Sequence, residues 1–155
     1  MKALIQRVAR ASVSVKDDII GQIDRGLTIF LGVAIDDTEE DARYLANKIL
    51  KLRVFPDEDG KFNNSLLDIR GELLVVSQFT LLAETRKGCR PSFTGAAPPE
   101  EARRLFGYFV GLLRESGLKV GTGRFGEMMM VEICNDGPVT IMIDSLEKDL
   151  PRRRS

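Results

Sequence analysis

Leu73-Leu-Val-Val-Ser-Gln-Phe-Thr-Leu-Leu82 runs through four aliphatic residues, meets a polar break at Ser77, Gln78 and Thr80, and closes on two leucines. So apolar a run reads as a buried strand. On a regular strand Gln78 and Thr80 share a face with Val76, while Ser77 and Phe79 point the other way. A buried hydroxyl or amide without a partner costs about 1–3 kcal/mol, so these side chains need partners. A satisfied core network would supply them, and so would a functional site. The strand alone leaves both readings open.

The rest of the chain narrows the choice. Its 155 residues suit one domain, long enough to bury about two-thirds of its unfolded surface. With 23 basic and 23 acidic residues the net charge is zero, which advertises no pervasive attraction to nucleic acid, though local patches remain open. No apolar run reaches the roughly 18 residues of a membrane span, and Met-Lys-Ala-Leu-Ile-Gln-Arg does not read as a secretory leader. Cys89 and Cys134 have no zinc-ligand spacing and suit a reducing cytoplasm.

Histidine is absent, with a count of 0. That removes Ser-His and Cys-His nucleophile pairs, histidine bases and the commonest transition-metal ligand. Any hydrolysis must use carboxylates, lysine, backbone dipoles or groups on the substrate itself. No metal and no cofactor is expected.

Outward from the opening stretch, residues 3–15 alternate as a half-buried strand, with Ile5, Ala9, Ala11, Val13 and Val15 on one face and Arg7 on that same apolar side. Residues 19–23 read as the returning strand and 27–33 as another. Thr38 opens a helix, with Asp41 three residues on and Ala42, Leu45, Ala46 and Ile49 as its buried stripe. A short strand at 52–55 follows. Pro98 and Pro99 start a second helix with the stripe Ala102, Leu105, Phe106, Phe109, Val110 and Leu113, closed by Gly117. Residues 118–144 read as three strands, broken at 121–126 and 135–138. The sum is an α/β fold: a single compact domain of mixed and antiparallel β-sheet carrying two amphipathic helices. The domain covers 1–144, and 145–155, ending in Pro-Arg-Arg-Arg-Ser, reads as a polar, mobile tail.

Gly121-Thr-Gly-Arg-Phe-Gly126 matches the dinucleotide fingerprint letter for letter, yet a strand-like Glu127-Met-Met-Met-Val-Glu-Ile133 follows where a helix is required. A glycine connection that lets a ligand or second chain come close fits better. Cys89 lies near Lys87 and Arg90 but has no base, so it reads as a bystander. Arg86, Lys87 and Arg90, in company with Gly88, Pro91 and Phe93, fit an anion-facing loop or simply a solvated one. Asn135-Asp-Gly-Pro-Val-Thr140 is an ordinary turn in composition. Gly137-Pro138 can also aim two backbone carbonyls at a ligand, because glycine lacks a Cβ and proline permits a cis peptide.

Val76-Ser-Gln-Phe-Thr-Leu81 and Asn135-Asp-Gly-Pro-Val-Thr140 together resemble the paired signatures of the D-aminoacyl-tRNA deacylases. Met1-Lys-Ala-Leu-Ile-Gln-Arg-Val8, Lys87-Gly-Cys-Arg-Pro-Ser-Phe93 and Thr122-Gly-Arg-Phe-Gly126 are similar to that family in the same order. The resemblance implies a barrel-like sheet and a homodimeric cytoplasmic enzyme, with its active site at the subunit interface. Its reaction would be hydrolysis of the ester between a D-amino acid and the 3′-terminal adenosine of tRNA. It further implies that Ser77, Gln78, Phe79 and Thr80 line the reaction centre. Gly137 and Pro138 would read chirality from the other subunit, with Arg7 bracing them. Arg86, Lys87, Arg90 and Met129 are candidates for holding the tRNA end.

Thr80 has no evident base, so the chemistry favours backbone N–H groups at Phe79 and Thr80 as oxyanion donors over a threonine nucleophile. Two rivals remain from the sequence. One is a non-catalytic module binding tRNA or DNA ends, and the other is a small-molecule esterase.

Overall fold

The structure, a computed structural model, describes residues 1–151. Strand β1 (Lys2–Val15) organises it. Its residues 2–8 pair with β3 (Gly26–Gly32) and its residues 11–15 with β2 (Asp18–Ile23), while β8 (Met130–Asp144) runs antiparallel along nearly all of its opposite edge. β3 then pairs in parallel with β6 (Glu72–Ser77), and β6 in parallel with β7 (Val120–Thr122). The sheet curls until β7 returns to β2. A Cβ on Gly21 would stand 2.9 Å from the Thr122 carbonyl oxygen, so only glycine allows this approach. The result is the expected barrel-like, nearly closed mixed sheet in a single α/β domain.

Two apolar clusters result. Inside the curl lie Val8, Ala11, Val13, Ile23, Leu74 and Val76. On the outer face Leu27, Ile29, Leu31, Leu73 and Val75 meet helices α1 (Glu39–Lys51) and α3 (Pro99–Arg114). Alternate residues of β6 therefore enter different cores, which is why the run 73–76 is apolar without a break. Both expected helical stripes are buried as read. The hairpin of β4 (Arg53–Pro56) and β5 (Phe62–Ser65), and the short α2 (Leu66–Ile69), complete the order. Phe-Asn-Asn-Ser carried no strand signal, so β5 and α2 were not foreseen.

Three expectations change. The opening strand stops at Ser77, and Phe79–Leu82 is a 3-10 turn. The residues expected to form separate strands around 135–138 belong to one strand, β8, whose ladder slips there. That slip resets the alternation of β1, so Val8 is fully buried and Ala9 is exposed.

The segment expected to start a mobile tail continues the packed structure. Ser145–Asp149 is a 3-10 turn in which Ser145 is fully buried and its N–H donates to the Met1 carbonyl at 2.8 Å. Lys148 Nζ donates to Asp41 at 2.9 Å. The arginine run Arg152-Arg153-Arg154 lies outside the described residues.

Asp41 also accepts from the Thr38 N–H at 2.9 Å and its hydroxyl at 3.1 Å, closing the cap of α1. Burial pushes its carboxyl up, but hydrogen bonds from Lys148, Thr38 and Ser145 outweigh this and hold it well below the ordinary range. A depressed carboxyl contributes stability that is complete above the unfolded value of about 4 and is lost as pH falls below it. Asp41→Asn is expected to cost about 1–3 kcal/mol at neutral pH. It should also flatten the acid limb of the urea midpoint plotted against pH. An acid limb identical to wild type would contradict the assignment.

Candidate active-site cleft

At the carboxyl ends of β3, β6 and β7 the chain leaves the sheet, and a cleft of about 730 Å³ opens against the start of α3. Its walls are mostly apolar: Val33 and Ile35 beyond β3, Pro98, Pro99 and Ala102 of α3, and Phe125. Phe79 and Phe93 meet edge to face with centroids 5.0 Å apart. Ser77, Gln78 and Phe79 line one side and Met129 another.

The polar break explains this opening. β3 ends at Gly32, so the parallel ladder has its last residue pair at Leu31 and Ser77. Gln78 N–H donates back to the Leu31 carbonyl at 2.8 Å, and Leu81 N–H to the Gln78 carbonyl at 3.2 Å. Between those two bonds, the N–H groups of Phe79 and Thr80 have no acceptor among the described residues. They are the unsatisfied first donors of a helical turn, left free beside an apolar cleft.

Ser77 and Gln78 are half-buried, and Phe79 and Thr80 are exposed. The desolvation cost feared for these polar residues is thus largely avoided. Among the described residues the buried orphan is instead Thr28 Oγ1 on β3. The Gln78 amide donates to the Thr80 hydroxyl. An amide is no base, so nothing in that contact activates Thr80 as a nucleophile.

Arg7, Gly137 and Pro138 lie elsewhere. Gln6 pairs with Thr140 and Val8 with Asn135, so residues 136–139 bulge out opposite Arg7 alone. Arg7 is buried, with Nη1 donating to the Val54 carbonyl at 2.7 Å and Nε to the Asp136 carbonyl at 3.2 Å. Asn135 Nδ2 donates to the carbonyls of Arg7 and Val139 at 2.9 and 3.0 Å. The Gly137-Pro138 peptide is cis and both residues are exposed. Gly137 has φ +125°, and a Cβ there would stand 3.0 Å from Arg7 Nη2 and from Val139 Cγ2. No L side chain fits that position without displacement.

Register measures the separation. Arg7 sits against Leu27 and Ser77 against Leu31, four residues on along β3 and two strand spacings apart. Along the sheet this is on the order of 16 Å. β8 lies on the far edge of β1, so the Gly137 bulge is farther still. One chain does not unite the two signatures.

Arg86, Lys87 and Arg90 are on the exposed loop that carries Phe93, where Arg86 is held by Glu84 at 3.0 Å. Cys89 is exposed on the same loop. Sequence reasoning did not single out Phe125, Glu127 and Met128 of the cleft wall. The glycine connection 121–126 was the available signal. It joins β7 to β8 and opens no helix, so it is no dinucleotide site.

Comparison with known proteins adds chemistry to this shape and places the chain in a class of hydrolases acting on ester bonds. A family model described as D-Tyr-tRNA(Tyr) deacylase matches residues 4–144. A D-aminoacyl-tRNA deacylase of Dehalococcoides mccartyi is 60% identical over 98% of this chain and 99% of its own. One from Thermotoga petrophila is 57% identical over 94% of this chain and 97% of its own. The chain belongs to the D-aminoacyl-tRNA deacylase family. A solved structure described as c-Myc DNA Unwinding Element Binding Protein superposes with TM-score 0.88 at 44% identity, covering 93% of this chain and 98% of that one. A probable eukaryotic D-amino acid tRNA deacylase, 18% identical and with TM-score 0.81, covering 92% of this chain and 98% of that one, shows the same fold.

Arg7 is the brace of the bulge, so its loss should be felt there first. Arg7→Met leaves the Val54 and Asp136 carbonyls without their donor and is expected to cost about 1–3 kcal/mol. Amide exchange should accelerate at Asp136, Gly137 and Val139 more than in β6. Uniform acceleration across the sheet would contradict a local bracing role.

Proposed function

We propose that the protein hydrolyses the ester of D-aminoacyl-tRNA in a site completed by a second copy of the chain. The observation that carries this reading is the pair of free N–H groups at Phe79 and Thr80, beside a cleft in which the side-chain partner of the Thr80 hydroxyl is the Gln78 amide, which is no base. An aminoacyl ester is already activated and needs less of a catalyst than an amide. The two N–H groups receive the carbonyl oxygen as it becomes an oxyanion. The ribose 2′-hydroxyl, or a water it positions, manages the proton. Water adds to the carbonyl carbon, and collapse of the intermediate releases the free D-amino acid and the tRNA 3′-hydroxyl. One oxyanion donor is typically worth about 10²–10³ in rate, so backbone donors can supply much of the acceleration.

Gly137 and Pro138 act from the partner subunit. Support comes from their exposure, from their bracing on Arg7, and from the distance that keeps them out of their own chain's cleft. With both carbonyls facing the substrate α-carbon, an L side chain collides and a D side chain points away. This is selection by exclusion. It cannot reject glycine, which has no side chain to collide, so glycyl-tRNA is also a substrate. Met129 and the loop bearing Arg86, Lys87 and Arg90 hold the tRNA end, and the enzyme works in the cytoplasm as a homodimer. A non-catalytic nucleic-acid-binding role is not favoured, because net charge is zero and the curated relatives are named as deacylases.

Single-turnover deacylation with Thr80→Ala and Thr80→Ser separates the mechanisms. The alanine variant is expected to retain most activity, and no acyl-enzyme should be trapped on wild type. A trappable acyl-enzyme, with near-zero activity in alanine and recovery in serine, would make Thr80 the nucleophile. On matched tRNA, D-aminoacyl and glycyl esters should be cleaved and L-aminoacyl esters spared. Equal rates for D- and L-tyrosyl-tRNA would refute the chirality mechanism.

A further inference from the structure

The geometry points to Arg103 as a residue that binds the backbone phosphates of the single-stranded acceptor end, an assignment that rests on the deacylase reading above. Arg103 follows the cleft-lining Ala102 on α3, and its side chain is exposed. The ion pairs of this helix gather on its neighbour. Arg104 is held by Glu101 at 2.6 Å and by Glu39 at 2.9 Å. Arg103 has no acidic partner among the described residues.

Its guanidinium instead lies over the ring of Phe125, 5.1 Å from the centroid. Nη2 comes within 3.9 Å of where a Cβ on Gly126 would stand. Phe125 and Gly126 are themselves cleft wall. A cation without an acidic partner among the described residues therefore stands at the rim of the site.

Stacking explains why this arginine suits a phosphate. The ring takes one face of the guanidinium and limits its rotamers, while the edge N–H groups stay free. Those groups match two phosphate oxygens in a fork. The near charge on the same wall is Glu127, whose carboxylate would repel a phosphate and makes a local cation the more necessary. With the ester at Phe79 and Thr80, the phosphates leading into the terminal nucleoside must leave the cleft over its rim.

The test compares two substrates with the same ester: D-aminoacyl-tRNA and D-aminoacyl-adenosine, which has no phosphate. For Arg103→Gln on tRNA, KM should rise about tenfold with kcat within about twofold, as for one lost charge-assisted bond. The slope of log KM against log salt should become shallower by about 0.7. Arg103→Lys should restore part of both effects, and neither variant should alter turnover of the nucleoside ester. Equal losses on both substrates, or an unchanged salt slope, would overturn the assignment. Wild-type failure on both esters would instead sink the deacylase reading itself.

Discussion

The hydrogen bond from the Gln78 N–H to the Leu31 carbonyl, 2.8 Å long, is the last rung between β6 and β3. Much of the cleft depends on where that rung falls. β3 ends one residue later, and Gly32 leaves room that Leu82 and Leu81 fill: a Cβ on Gly32 would stand 3.1 Å from the Leu81 Cβ. The chain cannot continue as sheet, so it tightens into a 3-10 turn whose first donors have no carbonyl to reach. An unpaired backbone donor is normally a liability. Here it lies on exposed residues beside an open cleft, so its cost is low. Had the ladders with β3 and β7 both run two residues further, both N–H groups would be spent on pairing. The same sequence motif would then offer a substrate only side chains.

The other signature arises from a different break in a ladder. Four residues of β8 stand against Arg7 alone, and its buried guanidinium donates to one carbonyl of this bulge, that of Asp136, and to the Val54 carbonyl of β4. The two breaks sit at separate ends of the sheet with β1 and β3 between them. Twofold symmetry is the economical way to join them, because an isologous contact that brings one Gly137 to the partner's Thr80 makes the reverse contact as well. That is why the proposed site calls for a second copy.

What could be read from residues follows the physics of each signal. The helical stripes of α1 and α3 were legible because burial of one face imposes a 3.6-residue period. β6 was legible as a buried strand, but its end was not, because the end is set by the length of β3, which stops at Gly32, far earlier in the chain. Ala9 was misplaced for a similar reason: the slip that exposes it and buries Val8 lies in the pairing with β8. Ser145 looked like tail because one buried hydroxyl and the Lys148–Asp41 pair leave no periodic trace. Glu127 and Phe125 were hidden by the glycines beside them, which invited a cofactor reading. Only resemblance joined Ser77–Thr80 to Gly137-Pro138, since nothing local in either segment refers to the other.

The lack of histidine bears on selectivity as well as on rate. A site with a strong general base accelerates attack on any ester that reaches it, whatever its handedness. In the proposed mechanism the protein's contribution is a pair of backbone dipoles, whose benefit falls steeply if the carbonyl oxygen is misplaced by even about 1 Å. An L side chain pressed against the Gly137 and Pro138 carbonyls would displace that oxygen. It would therefore lose binding and catalysis together. Under that proposal chirality and chemistry become a single geometric requirement, and a weak catalyst with rigid donors discriminates better than a strong one would.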